Sequence, residues 1–190
     1  MRLSAKCVTI GSRELLVKKI GKGMKTITNA RNVIKQINIP DTINFFDGDY
    51  AFLSNFFPSP IIYKSCLFLN VEQAYQGAKW EFGINNDGNK KYLNRIFKTK
   101  TPSEAKRVGQ TLEIDLVKWS QEKRNIMTKL IDLKFQIPSL ALLLENTQDS
   151  ILIEGNYWND TYWGQCKGVG MNHLGKILMA KRKKLLAAYE

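Results

Sequence analysis

The stretch IEGNYWNDTYWG, residues 153–164, sets Glu154 and Asp160 among Trp158, Trp163 and two tyrosines. Gly155, Asn156, Asn159 and Asp160 are turn formers, so neither a continuous helix nor a continuous strand is expected there. Two indoles are more apolar surface than a plain turn needs. Carboxylates walled by flat rings suit one reaction in particular. Cleavage of an N-glycosidic bond passes through an oxocarbenium-like state, positive at the sugar ring. A carboxylate stabilises that charge, and the same or another one activates the attacking water. The departing base is flat, and each ring stacked on it adds about 1–3 kcal/mol. Glu72, Glu154 and Asp160, with Trp119, Trp158 and Trp163, carry these parts.

Other chemistries lack their residues. His173 is the only histidine, and no G-x-S-x-G elbow accompanies it, so its expected place is structural or solvent-facing. No G-x-x-x-x-G-K-[ST] loop is present, which removes the P-loop NTPases. No His/Cys/carboxylate set has metal-ligand spacing, and Cys7, Cys66 and Cys166 form no C-x-x-C pair. Neither a zinc site nor a disulfide framework is expected. The reaction calls for no metal or organic cofactor.

The acids need elements to position them. Strand-like pieces are expected near 60–69, after Pro58 and Pro60. A helix then carries Glu72, Gln73, Gln76 and Lys79, with Tyr75 on it. GINNDGNKK, residues 83–91, reads as an exposed loop. Thr101-Pro102-Ser103-Glu104 opens a helix with a capping box and turns Ala105, Val108 and Leu112 inward. A longer helix follows Trp119, because Ile126, Met127, Leu130, Ile131 and Phe135 recur at helical intervals. Pro138 stops it. PSLALLLENT reads as a short buried helix and SILIEG as a buried strand. Helical spacing returns through Leu174, Ile177, Leu178 and Leu185. The expected fold is α+β: a mainly helical single domain around a small β-sheet. Strands and helices do not alternate, which excludes a doubly wound sheet.

The bulk numbers bound the partners. At 190 residues, with 44% hydrophobic and 24% charged positions, the chain supports one core. No apolar run reaches the roughly 18 residues of a membrane span, and the amino terminus lacks an apolar signal region. A cytoplasmic protein with reduced thiols is expected. The formal charge of +12 suggests an anionic partner, nucleic acid or a phosphorylated small molecule. Residues 1–40 hold nine Lys/Arg against Glu14 alone, and KRKK follows at 181–184. The plain alternative is a Lys-rich composition that serves solubility. Residues 1–43 form a basic extension of short β-prone runs broken by Gly11, Gly21 and Gly23. Residues 44–190 form the catalytic domain.

An ordered set of short motifs carries a family likeness. Phe52-Leu53-Ser54-Asn55-Phe56 with Pro58 is followed by Glu72-Gln73-Ala74-Tyr75-Gln76 with Lys79. Ala105-Lys106 with Gly109, Trp119, Arg124 with Met127, and Lys134-Phe135 come next. Last are Ile153-Glu154, Asp160 with Trp163-Gly164, and Gly170-x-Asn172-x-Leu174-Gly175 leading to Leu178-Met179 and Arg182. Over about residues 45–186 the chain resembles the NADAR (YbiA-like) family, some of whose members are riboflavin-intermediate N-glycosidases. The resemblance implies mainly helices around a small sheet, and hydrolysis of ribosyl N-glycosides. One branch acts on phosphorylated ribosylamino-pyrimidines, another removes ADP-ribose from modified guanine in DNA. By position, Glu72 resembles the central catalytic carboxylate and Asp160 a second essential acid. Trp119 and Trp163 resemble pocket walls, and Asn55 and Lys79 polar contacts to ribose or phosphate. Trp158, Gly164 and Glu154 join them as substrate-contact candidates.

Each candidate has a plainer alternative. Glu72 could be a solvated helix charge, Trp119 core, Asp160 a turn acceptor, Glu154 an ion-pair partner and Asn55 a turn cap. Arg124 and Arg182 read as structural or phosphate-facing. The chain also departs from the family pattern. Gln73 stands where many relatives have histidine, Thr161 where many have arginine, and QCKGVG is longer than the usual glycine-rich form. Lys167 is the candidate replacement for the missing positive charge. The leading expectation is an N-glycosidase that removes ADP-ribose from modified guanine in DNA or a related ADP-ribosyl nucleoside, with DNA contact through the basic amino-terminal region. The runner-up substrate is a ribosylamino-pyrimidine phosphate. A non-catalytic ADP-ribose or nucleotide reader is the third reading.

Overall fold

A computed structural model describes residues 39–188 and all their side chains except those of 86–89. The basic stretch 1–38, with its expected short strands and Cys7, lies outside the described residues.

The chain opens with β1 (Thr42–Ile43) and a 3-10 turn (Gly48–Leu53), then β2 (Ile61–Tyr63) and β3 (Cys66–Phe68). Helix α1 (Val71–Ala78) runs into a second 3-10 turn (Lys79–Phe82). There follow α2 (Asn86–Lys98), α3 (Pro102–Gly109), α4 (Leu116–Lys134) and α5 (Pro138–Asn146). The strands β4 (Ile151–Leu152), β5 (Gly155–Asn156) and β6 (Gln165–Cys166) precede α6 (His173–Ala187). The class is the expected mainly helical α+β. Its strands form three two-stranded pieces instead of one sheet. β1 pairs parallel with β4, Thr42 opposite Ile151. β2 and β3 form a hairpin, and β5 pairs parallel with β6.

Helix α1 is the centre of the molecule. Asn70 caps it, accepting the Gln73 N–H at 2.8 Å, and all eight of its residues are buried. Burying a helix with three polar side chains requires that each finds partners. Gln73 does so fully. It accepts from Leu69 N and donates to the Ile96 carbonyl and the Thr99 hydroxyl. Gln73 therefore ties α1 to the end of α2.

The neighbours of α1 follow from caps and apolar faces. α3 starts with the expected capping box, Thr101 Oγ1 accepting from Glu104 N, with Pro102 in its first turn. α4 starts at Leu116, before Trp119, because Asp115 accepts the N–H groups of Val117 and Lys118. Ile126, Met127, Leu130, Ile131 and Phe135 are buried, as their spacing requires. Pro138 opens α5, and Arg182 on α6 closes its far end, donating to Thr147 Oγ1 and the Ser150 carbonyl. Arg182 is structural.

Two expectations are corrected. The segment 83–91 is not a loop throughout, since α2 begins at Asn86. Tyr92 and Ile96 are 3% and 0% exposed, and the Tyr92 hydroxyl donates to the Gln76 carbonyl at 2.6 Å. Packing of these two residues overrides the turn-forming Asn and Gly before them. SILIEG is not one continuous strand: β4 takes only Ile151–Leu152, β5 begins at Gly155, and Ile151 is exposed. The chain bends after Ile153, where Gly155 N donates to the Asn44 carbonyl.

Candidate functional site

Glu72 sits in the first turn of α1, 7% exposed. Its backbone N–H donates to the Asn55 carbonyl, and its Oε1 accepts from Gln76 Nε2 at 2.7 Å. Burial pushes its carboxyl above the ordinary range. The Gln76 bond and the positive charges of Lys106 and Lys79 pull it back, and the Asp160 charge pushes it up. Helix, loop and lysines therefore meet around one acid.

Asp160 approaches from the late turn. Its Oδ1 accepts from Tyr162 N at 3.2 Å and Trp163 N at 2.8 Å, so one oxygen shapes the turn. No described residue donates to its Oδ2. Asn156 fixes the loop from below, accepting from Asp160 N and donating to the Asp160 carbonyl. Asp160 serves as the turn acceptor and also acts electrostatically on Glu72.

Glu154 is the third acid. Its N–H donates to Asn172 Oδ1, and its Oε2 is buried without a partner. Burial, together with the Asp160 charge, pushes its carboxyl up to about 7. Opposing it is Lys134 on α4, 0% exposed, whose Nζ donates to the Ser54 carbonyl at 2.7 Å. Burial lowers that ammonium to about 7, against the favourable charge of Glu154. Asn172, with φ of 51°, lies between β4 and α6 and also donates to the Leu152 carbonyl.

Aromatic rings wall the cluster. Tyr75 packs on Trp119 at 5.1 Å and meets Trp163 edge-on at 5.6 Å. Phe82 backs Trp119, and Tyr162 backs Trp163. Trp119 is 8% exposed, so it is as much core as wall. Trp158 is 63% exposed at the rim, with Lys106 Nζ 5.8 Å from its ring centre. Lys79 Nζ donates to the Gly109 carbonyl and lies 5.7 Å from Trp119, and burial lowers its ammonium.

The remaining candidates divide. Asn55 donates to Met127 Sδ at 3.6 Å and keeps a buried, unpartnered Oδ1. Gly164 is needed for packing, because a Cβ there would lie 2.0 Å from the Glu154 carbonyl oxygen. Lys167 lines a groove of about 280 Å³ with Phe45 and Tyr157, beside Gly168. A larger groove, about 360 Å³, runs between α4 and α6 and includes Arg124 and His173. Glu72 lines neither of these grooves.

Sequence reasoning passed over Lys106, Lys134, Gln76 and Tyr75 as functional residues. For Lys134 a signal existed. Met127, Leu130, Ile131 and Lys134 stand at i, i+3, i+4 and i+7, so the lysine occupies the apolar stripe of α4.

A family model described as NADAR domain matches residues 44–186. An N-glycosidase of Nostoc punctiforme is 32% identical over 139 residues, 72% of this chain and 86% of that protein. The chloroplastic riboflavin biosynthesis protein PYRR of Zea mays is 33% identical over 123 residues, 61% of this chain. The match spans 19% of that plant protein's length. The NMR structure of the E. coli protein YbiA superposes with a TM-score of 0.68 at 31% identity, covering 81% of this chain and 90% of that one.

Proposed function

The chain belongs to the NADAR domain family, and we propose that it is an N-glycosidase hydrolysing the ribosyl N-glycosidic bond of a nucleotide-like substrate. The observation that carries this reading is the placement of Glu72, buried against Tyr75 and within reach of the Asp160 and Glu154 charges. A carboxylate in a water-poor site acts on a developing positive charge far more strongly than one in water, and the Gln76 bond with the Lys106 and Lys79 charges opposes the burial that raises its pKa.

The reaction balances as follows. The bond between the sugar C1′ and the base nitrogen breaks, and its electron pair leaves with the base. The C1′ cation forms beside Glu72. Water adds at C1′, and its proton passes to a carboxylate. Glu154, poised near 7, takes that proton at neutral pH. The proton is then released to the departing nitrogen or to solvent. Asp160 Oδ2 and Asn55 Oδ1 accept hydroxyl donors of the ribose. Trp163 and the exposed Trp158 hold the base, while Lys79 and Lys106 face phosphate.

For the substrate, the basic residues 1–40 favour ADP-ribosylated guanine in nucleic acid or a related ADP-ribosyl nucleoside. The names of the relatives favour a second reading, a phosphorylated ribosylamino-pyrimidine. Incubation with ADP-ribosylated DNA and, separately, with ribosylamino-pyrimidine phosphate decides between them by the sugar released. Release from neither, with nucleotide binding retained, leaves a reader and overturns the enzyme.

A further inference from the structure

The groove between α4 and α6 is separate from the acids. Arg124, Asn125, Thr128 and Asp132 line it from α4, and His173, Lys176, Ile177, Ala180, Lys181 and Lys184 from α6. The α6 residues follow helical spacing from 173 to 184, so they form one stripe about 16 Å long. Asp132 pairs with Lys181 at 3.0 Å. No other salt bridge among the described residues involves the groove, so Arg124, Lys176 and Lys184 line it without an ion pair to a described residue. His173 reports the same field. Burial and the charges of Arg124, Lys176 and Lys123 hold its imidazole below the ordinary range.

The groove also leads somewhere. The His173 ring lies 4.5 Å from Tyr162 and 6.4 Å from Trp163, and Trp163 meets Tyr75 beside Glu72. Lys123 Nζ sits 3.6 Å from the Tyr162 ring centre, a cation at the turn between groove and wall. A cationic track that ends on a cluster of aromatic rings is the arrangement that holds a single strand by its phosphates while its bases stack on the rings.

We propose that the α4–α6 groove binds the phosphodiester backbone of a single-stranded nucleic acid, with a base at its Tyr162 end reaching the Trp163 wall. The proposal rests on the N-glycosidase reading only for what that base undergoes. Binding stands alone. A row of cations without ion pairs fits a repeating anion better than a single phosphate.

The test uses the full chain and a fluorescent 12-nucleotide single-stranded DNA, read by anisotropy across a salt series. Reversing Arg124, Lys176 and Lys184 together to glutamate weakens binding at least tenfold. It also lowers the slope of log affinity against log salt by about 2, three phosphates at roughly 0.7 each. The matched variant with Lys90, Lys91 and Lys98 reversed on α2 changes net charge equally and weakens binding less than threefold. Equal losses in the two variants, or none in either, overturn the proposal. So does binding to phosphatidylserine vesicles that the groove variant abolishes while DNA binding persists. Turnover of ribosylamino-pyrimidine phosphate is measured alongside and stays within twofold in both variants. Absence of turnover on this compound and on ADP-ribosylated DNA alike sinks the enzyme reading and leaves the groove result standing.

Discussion

Replacing Glu72 by glutamine removes a charge and keeps the shape of the side chain. If that charge faces the sugar cation, Glu72→Gln lowers kcat by about 10²–10³-fold with KM little changed. Its melting midpoint stays equal or rises, because a buried charge is lost. Unchanged turnover contradicts the assignment. The Lys134–Glu154 pair gives a second outcome at this scale. Glu154's folded value, about 7, lies above its unfolded value of 4.5. The stability it lends is present below pH 4.5 and is lost as pH rises through 7. Lys134's folded value, about 7, lies below 10.5, so its contribution is present above 10.5 and is lost as pH falls through 7. Both losses meet near pH 7. The double variant K134M/E154Q titrates at neither site, so its advantage in melting midpoint over the parent is greatest near pH 7. Melts across pH 5–9 that run parallel for parent and double variant contradict the pairing. Glu72 and Asp160 were legible as acids beside tryptophans and by motif order. Lys134 was not, because a lysine on a helix is ordinarily read as solvated, and only its stripe position marks its burial.

At the scale of elements, α1 and α3 meet with almost no room. A Cβ at Gly109 would lie 1.9 Å from Gln76 Oε1 and 2.5 Å from its Cδ. Gln76 is the residue that donates to Glu72, so crowding here reaches the acid through one side chain. Gly109→Ala lowers both melting midpoint and kcat, the latter about tenfold. Adding Gln76→Ala frees the space and restores much of the midpoint but not the turnover. Joint recovery of both shows that Gln76 only fills volume. The elements were legible where local chemistry decides them. Thr101 with Glu104 marks α3, the 3- and 4-residue intervals mark α4, and Pro58 and Pro60 lead into β2. Two kinds of feature were not. Lys64 and Ser65 turn the β2–β3 hairpin at φ of 47° and 63° without glycine. Thr42 pairs with Ile151 across most of the chain, and no local pattern announces such a partner.

Across the whole molecule the governing quantity is charge. The formal +12 is carried unevenly, and residues 1–40 hold nine of the 29 Lys/Arg. The acids at the site are matched by Lys79, Lys106 and Lys134, so turnover of a small phosphorylated substrate needs none of the amino-terminal cations. A nucleic-acid substrate does need them, because each phosphate contact releases counterions and steepens the salt dependence. Changing Lys6, Lys18, Lys19, Lys22, Lys25 and Lys35 to glutamine separates the two cases in one full-length protein. Turnover of ribosylamino-pyrimidine phosphate stays within twofold. On ADP-ribosylated DNA, KM rises at least tenfold at 150 mM salt and the salt slope falls, while kcat at saturation holds, since Glu72, Glu154 and Asp160 are untouched. A variant that handles both substrates as the parent does assigns those lysines to solubility and turns the substrate toward the small ribosylamino compound.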